Sequence, residues 1–200
     1  MVKNIKRNRK APDSGTKFYA TGLAGLQKKE IKFLESILEP VNKYFDCLLS
    51  KIPPHISCRY LGYKDEVSFK EIKKIILDLK KIYKDFLPLK CSLGGLFGSW
   101  ERDPNYESKL LMIKVESPEL NLLHKRILIK TKKFPVFSDV ENINFNPHFT
   151  LGILKKEFTK KIPQEVSEFI KNAKINSFKV CLKKAYIHSE KGMDFEYIVV

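Results

Sequence analysis

Long apolar runs are missing from these 200 residues. No stretch approaches the roughly 18–20 apolar residues that cross a bilayer, so a membrane span is not expected. The opening "MVKNIKRNRKAPDSGTK" lacks the apolar core of a secretory signal. Cysteine is scarce: Cys47, Cys58, Cys91 and Cys181 show no CxxC or CxH spacing. Their scatter argues against a zinc site and for free thiols in a reducing compartment. Neither a P-loop nor a nucleotidyl-transfer lysine motif is visible, which argues against ATP-driven ligation.

Negative charge is also in short supply. Thirty-eight Lys and Arg stand against 23 Asp and Glu, a formal net charge of +15 with pI about 9.6. That balance favours polyanionic partners such as nucleic acid, through steering and counterion release. Residues 1–16, with Lys3, Lys6, Arg7, Arg9 and Lys10, read as a flexible basic arm ahead of one domain over 17–200. At 43% hydrophobic residues the chain has enough apolar material for a packed core.

The domain reads as one order of elements used twice, over about 17–100 and 109–200. In the first half "KFYATGL" is strand-like, and "QKKEIKFLESIL" has helical spacing until Pro40. "HISCRYLGY" alternates as a strand. Ser68 and Glu71 then form a capping box ahead of an amphipathic helix, and "LKCSLGGLFGSW" closes the half as a strand with a glycine bend or bulge. The second half repeats the order. "KLLMIKVES" is a strand, "PELNLLHKRILIK" a helix, "HFTLGIL" a strand and "IPQEVSEFIKNA" a helix. "SFKVCLKKAYIHS" and "DFEYIVV" close it as a hairpin. The expected architecture is α+β and bilobal: two pseudo-symmetric β-α-β-α-β halves, mainly antiparallel sheets facing a central cleft, helices outside.

The third element of each half carries the chemistry: "PHIS" at 54–57 and "PHFT" at 147–150. Alternate strand residues share a face about 7 Å apart, so His55 looks the same way as Ser57, and His148 the same way as Thr150. Two facing halves would bring two imidazoles and two hydroxyls into one pocket. One imidazole can remove a proton while the other supplies one, and uncharged hydroxyls suit phosphate oxygens. With 10 prolines and 18 serines and threonines in 200 residues, chance would give any one histidine this context about once in two hundred. Two of four histidines having it, at matching places in a repeat, points to function. His124, on a Leu-rich helix, and His188, whose Ser189 is adjacent, are not assigned to the site.

"HISCRYLG" and "PHFTLGIL" resemble the two H-x-[S/T] signatures of the 2H phosphoesterase superfamily. The nearest likeness is to the LigT-like branch of 2′-5′ RNA ligases, or RNA 2′,3′-cyclic phosphodiesterases. The similarity covers about residues 17–200. It implies a cleft working with no metal and no cofactor, on RNA or nucleotides with a cyclic phosphate or 2′-5′ linkage. His55 and His148 would be the acid/base pair and Ser57 and Thr150 the phosphate holders, His148 activating water and His55 protonating the leaving 3′-oxygen. Relatives often place an arginine five residues after the second histidine, where this chain has Ile153. Arg59, at i+4 from His55, is the candidate replacement on the same strand face. Tyr19 or Phe18 on the first strand is a candidate to stack a base, and Trp100 to border the cleft mouth. A cytoplasmic monomer is expected, or a nuclear one in a eukaryote. Two other readings stay open: a 3′-end trimming exoribonuclease of the same superfamily, and a nucleotide- or RNA-binding module with little turnover.

Overall fold

The computed structural model describes residues 18–63, 67–101, 108–134, 145–175, 178–191 and 194–199; the expected basic arm at 1–16 lies outside them. Among the described residues nine strands form two antiparallel sheets. The first has the order β3 (Ile56–Tyr63), β1 (Phe18–Ala24), β8 (Lys184–Lys191), β9 (Asp194–Val199). The second runs β2 (Phe45–Cys47), β6 (His148–Leu154), β5 (Leu110–Glu116), β4 (Leu89–Gly98), β7 (Lys179–Leu182). With helices α1 (Lys28–Leu38), α2 (Phe69–Lys84), α3 (Pro118–Lys130) and α4 (Gln164–Asn172), this is the α+β architecture expected.

The two sheets exchange strands. β4 leaves the first half to pair with β5, and β8 leaves the second half to pair with β1. Each sheet thus repeats one arrangement: the His-bearing strand, the first strand of the same half, then a strand from the other half. Helices cross as well. α3 packs on β3 and α2, while α1 packs on β6 and β2. Glu30 ties α1 down: its buried carboxylate accepts from the backbone N–H of Gln27 at 2.5 Å and of Cys181 on β7 at 2.9 Å.

The sequence signals formed the elements they predict. The Ser68 hydroxyl accepts from the Glu71 N–H, and the Glu71 carboxylate accepts from the Ser68 N–H at 2.9 Å, closing the capping box of α2. α1 ends at Leu38, and Pro40 sits in the first turn of the short 3₁₀ helix Glu39–Tyr44. The four cysteines are free thiols. One expectation changes: "SFKVCLKKAYIHS" is two strands, not one. The chain breaks at Lys183, whose N–H donates to the Ala24 carbonyl, and the pieces enter different sheets. Among the described residues no helix is long and apolar enough to cross a membrane.

Candidate active site

Strands β3 and β6 contact one another across the sheets. On each, one face points into the core. Ile56 of β3 and Phe149 of β6 are fully buried there, as are Leu111 and Ile113 of the adjoining β5, and the Thr21 hydroxyl of β1 hydrogen-bonds the Tyr83 hydroxyl of α2 at 2.8 Å. The other face carries half-buried residues: His55, Ser57 and Tyr60 in the first half, His148, Thr150 and Ile153 in the second.

The two histidines are held alike. His55 Nδ1 lies 3.0 Å from the Pro53 carbonyl, and His148 Nδ1 lies 2.8 Å from the Asn146 carbonyl. A carbonyl only accepts, so each Nδ1 carries the proton and donates it, and the neutral ring has its basic lone pair on Nε2. The prolines explain the geometry. Pro54 and Pro147 fix φ near −65° and confine the residue before them to extended backbone, so that the i−2 carbonyl projects toward the ring. Each ring also receives an aromatic neighbour from a crossed-over strand. Tyr186 of β8 meets His55 edge-on at 5.8 Å between centroids and 90°, and Phe97 of β4 meets His148 at 5.8 Å and 82°.

Matching bulges come just after the two hydroxyls. Gly22 pairs with Ser57 while Thr21 pairs with Arg59, skipping Cys58; Met112 pairs with Thr150 while Leu111 pairs with Gly152, skipping Leu151. A bulge inserts one residue and reverses the facing of the residues beyond it. Arg59 therefore shares the core-facing register of Thr21 and not the face of His55, because strand alternation is broken between the two residues. It is 3% exposed, donates to the Phe134 carbonyl at 3.4 Å and lies beside His124 of α3. The same shift puts Ile153, and on the other strand Tyr60, on the histidine face. Neither Tyr60 nor the aromatic pair Tyr186 and Phe97 is among the residues expected from sequence. The signal for Phe97 and Tyr186 is strand alternation within "LFGSW" and "AYIHS", usable only once the strand exchange is known.

Trp100 lies in the turn Ser99–Glu101, half-buried, with its ring against the Cα of Gly98, where an added Cβ would come within 2.2 Å of it. Phe18 and Tyr19 open β1 opposite Tyr63 and Gly62, and their side chains lie outside the described ones.

His124 is nine-tenths buried and stacks on Phe145 at 4.0 Å, at the entrance to the second motif. Burial, aided by the Arg59 charge, pushes its pKa down to about 4. The unfolded chain takes up a proton near pH 6.5 that the folded one refuses until about 4. The contribution is thus complete above pH 6.5 and declines as pH falls toward 4, by at most about 1.4 kcal/mol per pH unit. His124→Phe, which keeps the stack, is expected to flatten that acid-side slope in denaturant titrations at pH 4.5–7. An unchanged slope would show that His124 is protonated in the folded protein.

No protein-family model and no curated protein matches the sequence. Solved structures do match. Usb1 of Kluyveromyces marxianus aligns with a TM-score of 0.57 at 13% identity, over 94% of this chain and 99% of its own. That protein has also been solved with uridine monophosphate. TT0787 of Thermus thermophilus aligns at 0.56 and 14% identity, over 92% and 94%. LigT of E. coli, complexed with 3′-AMP, aligns at 0.51 and 14%, over 92% and 95%. This chain has the fold of these structures.

Proposed function

We propose that the protein is a metal-independent phosphodiesterase that opens 2′,3′-cyclic phosphates, or cleaves and reversibly joins 2′-5′ linkages, at RNA ends or on small nucleotides. The observation that carries this reading is the matched pair of imidazoles. Each is fixed through Nδ1 by its i−2 carbonyl, and each has a hydroxyl two residues on along the same strand face. The nucleotides bound by Usb1 and by LigT support the substrate class.

In the hydrolytic direction His148 Nε2 removes a proton from water as its oxygen attacks phosphorus. His55, entering as imidazolium, gives its Nε2 proton to the 3′-oxygen as the P–O3′ bond breaks, leaving a 2′-phosphate. The carbonyl on each Nδ1–H accepts equally from neutral and protonated rings, so both protonation states are held in one orientation. Ser57 and Thr150 donate to the non-bridging oxygens. Solvent exchange then restores the starting protonation.

The test is hydrolysis of 2′,3′-cyclic nucleotides and of a short RNA with a cyclic end, in excess EDTA, with 2′- and 3′-phosphate products resolved. A 2′-phosphate product with a bell-shaped pH dependence is expected, because one imidazole must be neutral and the other charged. Tight nucleotide binding with no product would replace this reading with a binding module. Stepwise shortening of a linear RNA from its 3′ end would replace it with a trimming nuclease.

A further inference from the structure

Beside His148 the pairing of β4 is irregular. Leu93 pairs with Val115 and Leu96 with Ile113, so Gly94 and Gly95 together stand against Lys114. Next to this two-glycine bulge is a recess of about 370 Å3 lined by Gly95, Leu96, Phe97, Glu101, Lys114 and Asn146. Its volume is that of a small-molecule cleft. Three of its walls belong to the surroundings of His148. Lys114 is the ladder partner of His148, Phe97 touches the imidazole and Asn146 supplies the carbonyl that holds it. The bulge has no counterpart on the other side of the pseudo-symmetric site, since β8 pairs with β1 without a shift.

The lining chooses between a phosphate and a base. Lys114 brings the one cation among the described lining residues, and its ammonium is 2.8 Å from the Glu116 carboxylate. Glu101 adds a second carboxylate to the rim. Two carboxylates about one ammonium disfavour an anion. An aromatic ring, an amide that both donates and accepts, and an acceptor-only carboxylate suit a neutral planar group carrying N–H donors.

We propose that the recess holds the nucleobase next to the reacting phosphate, so that the preferred substrate is an RNA end of two or more nucleotides rather than a free cyclic mononucleotide. The inference rests on the phosphodiesterase reading above and extends it to substrate length. Among the bases, guanine offers N1–H and N2–H side by side, the arrangement that a carboxylate such as that of Glu101 accepts from with both oxygens.

Gly95 makes the inference testable without disturbing the fold. A Cβ built there meets nothing within 4 Å, and the residue's φ is outside the left-handed region. Gly95→Trp would fill the recess. Steady-state rates are compared on a 2′,3′-cyclic mononucleotide and on tetranucleotides with a 2′,3′-cyclic end, carrying guanine or uracil next to last. The variant is expected to lose about 10-fold or more in kcat/KM on the tetranucleotides, mainly through KM, and to stay within about 2-fold on the mononucleotide. Glu101→Gln is expected to erase the guanine preference. Equal losses on both substrates, or none on either, would overturn the recess as a base site. If the wild type turns over neither substrate, the phosphodiesterase reading fails instead. The recess is then judged by Kd, a tetranucleotide 2′-phosphate against a mononucleotide 2′-phosphate: loss of affinity for the tetranucleotide alone in Gly95→Trp upholds it, and any other pattern overturns it.

Discussion

Alanine at either His55 or His148 is expected to lower kcat on a cyclic phosphate by about 10²–10⁴-fold, the range typical of a positioned general acid or base. Both rings are half-buried and stand at the edge of aromatic neighbours rather than inside the core. The variants are therefore expected to remain folded, with melting transitions close to that of the parent. If the two imidazoles act in one proton relay, as proposed, the double alanine variant is expected to be little worse than the more damaged single one. The pH profile separates the roles: each single variant loses one limb of the bell. A variant that retains more than about a tenth of parental kcat would remove that histidine from the chemistry.

The second large effect is expected from one methyl group. Gly22 lies in the ladder between Ser57 and Tyr186, and a Cβ there would fall 2.2 Å from the Ile56 carbonyl oxygen and 2.8 Å from the Tyr186 hydroxyl. The first contact is with backbone, so the strand must move. The backbone displaced lies between His55 and Ser57, and the side chain displaced belongs to the ring neighbour of His55. Gly22→Ala is expected to cost about 1–3 kcal/mol of stability, as overpacking does elsewhere, together with most of the activity. Denaturant melts and turnover measured on the same preparation check both. Gly95→Ala, the same change at an open position, is the control expected to do neither. Wild-type stability in Gly22→Ala would mean that β3 yields to the methyl without strain.

Much of this was legible in the residue order, because the relevant signals are local. A histidine behind a proline and ahead of a hydroxyl fixes a strand face and a ring orientation within four residues. The doubled motif then marks the element that carries the site. The Ser68 and Glu71 box, the break at Pro40 and the glycine irregularity in β4 are likewise local. What stayed hidden depends on pairing between distant segments. A bulge is a mismatch between two strands, and the skipped Cys58 is visible only against Thr21 and Gly22. Reading Arg59 onto the histidine face assumed unbroken alternation, and that one skipped residue turned it into the helical layer. Nor does anything near Tyr186 or Lys183 announce that β8 departs for the other sheet.

Neither half contains a full sheet: cut between them, each would leave a His-bearing strand and its neighbour beside an empty slot that fits the strand the other half donates. Two copies of such a half would satisfy each other by swapping arms, and their two-fold interface would carry two P-H-x-[S/T] strands side by side. In the present chain the two halves are joined covalently, so either can change without the other. The two-glycine bulge in the β4–β5 pairing, which the β1–β8 pairing lacks, is an asymmetry that two identical halves could not hold.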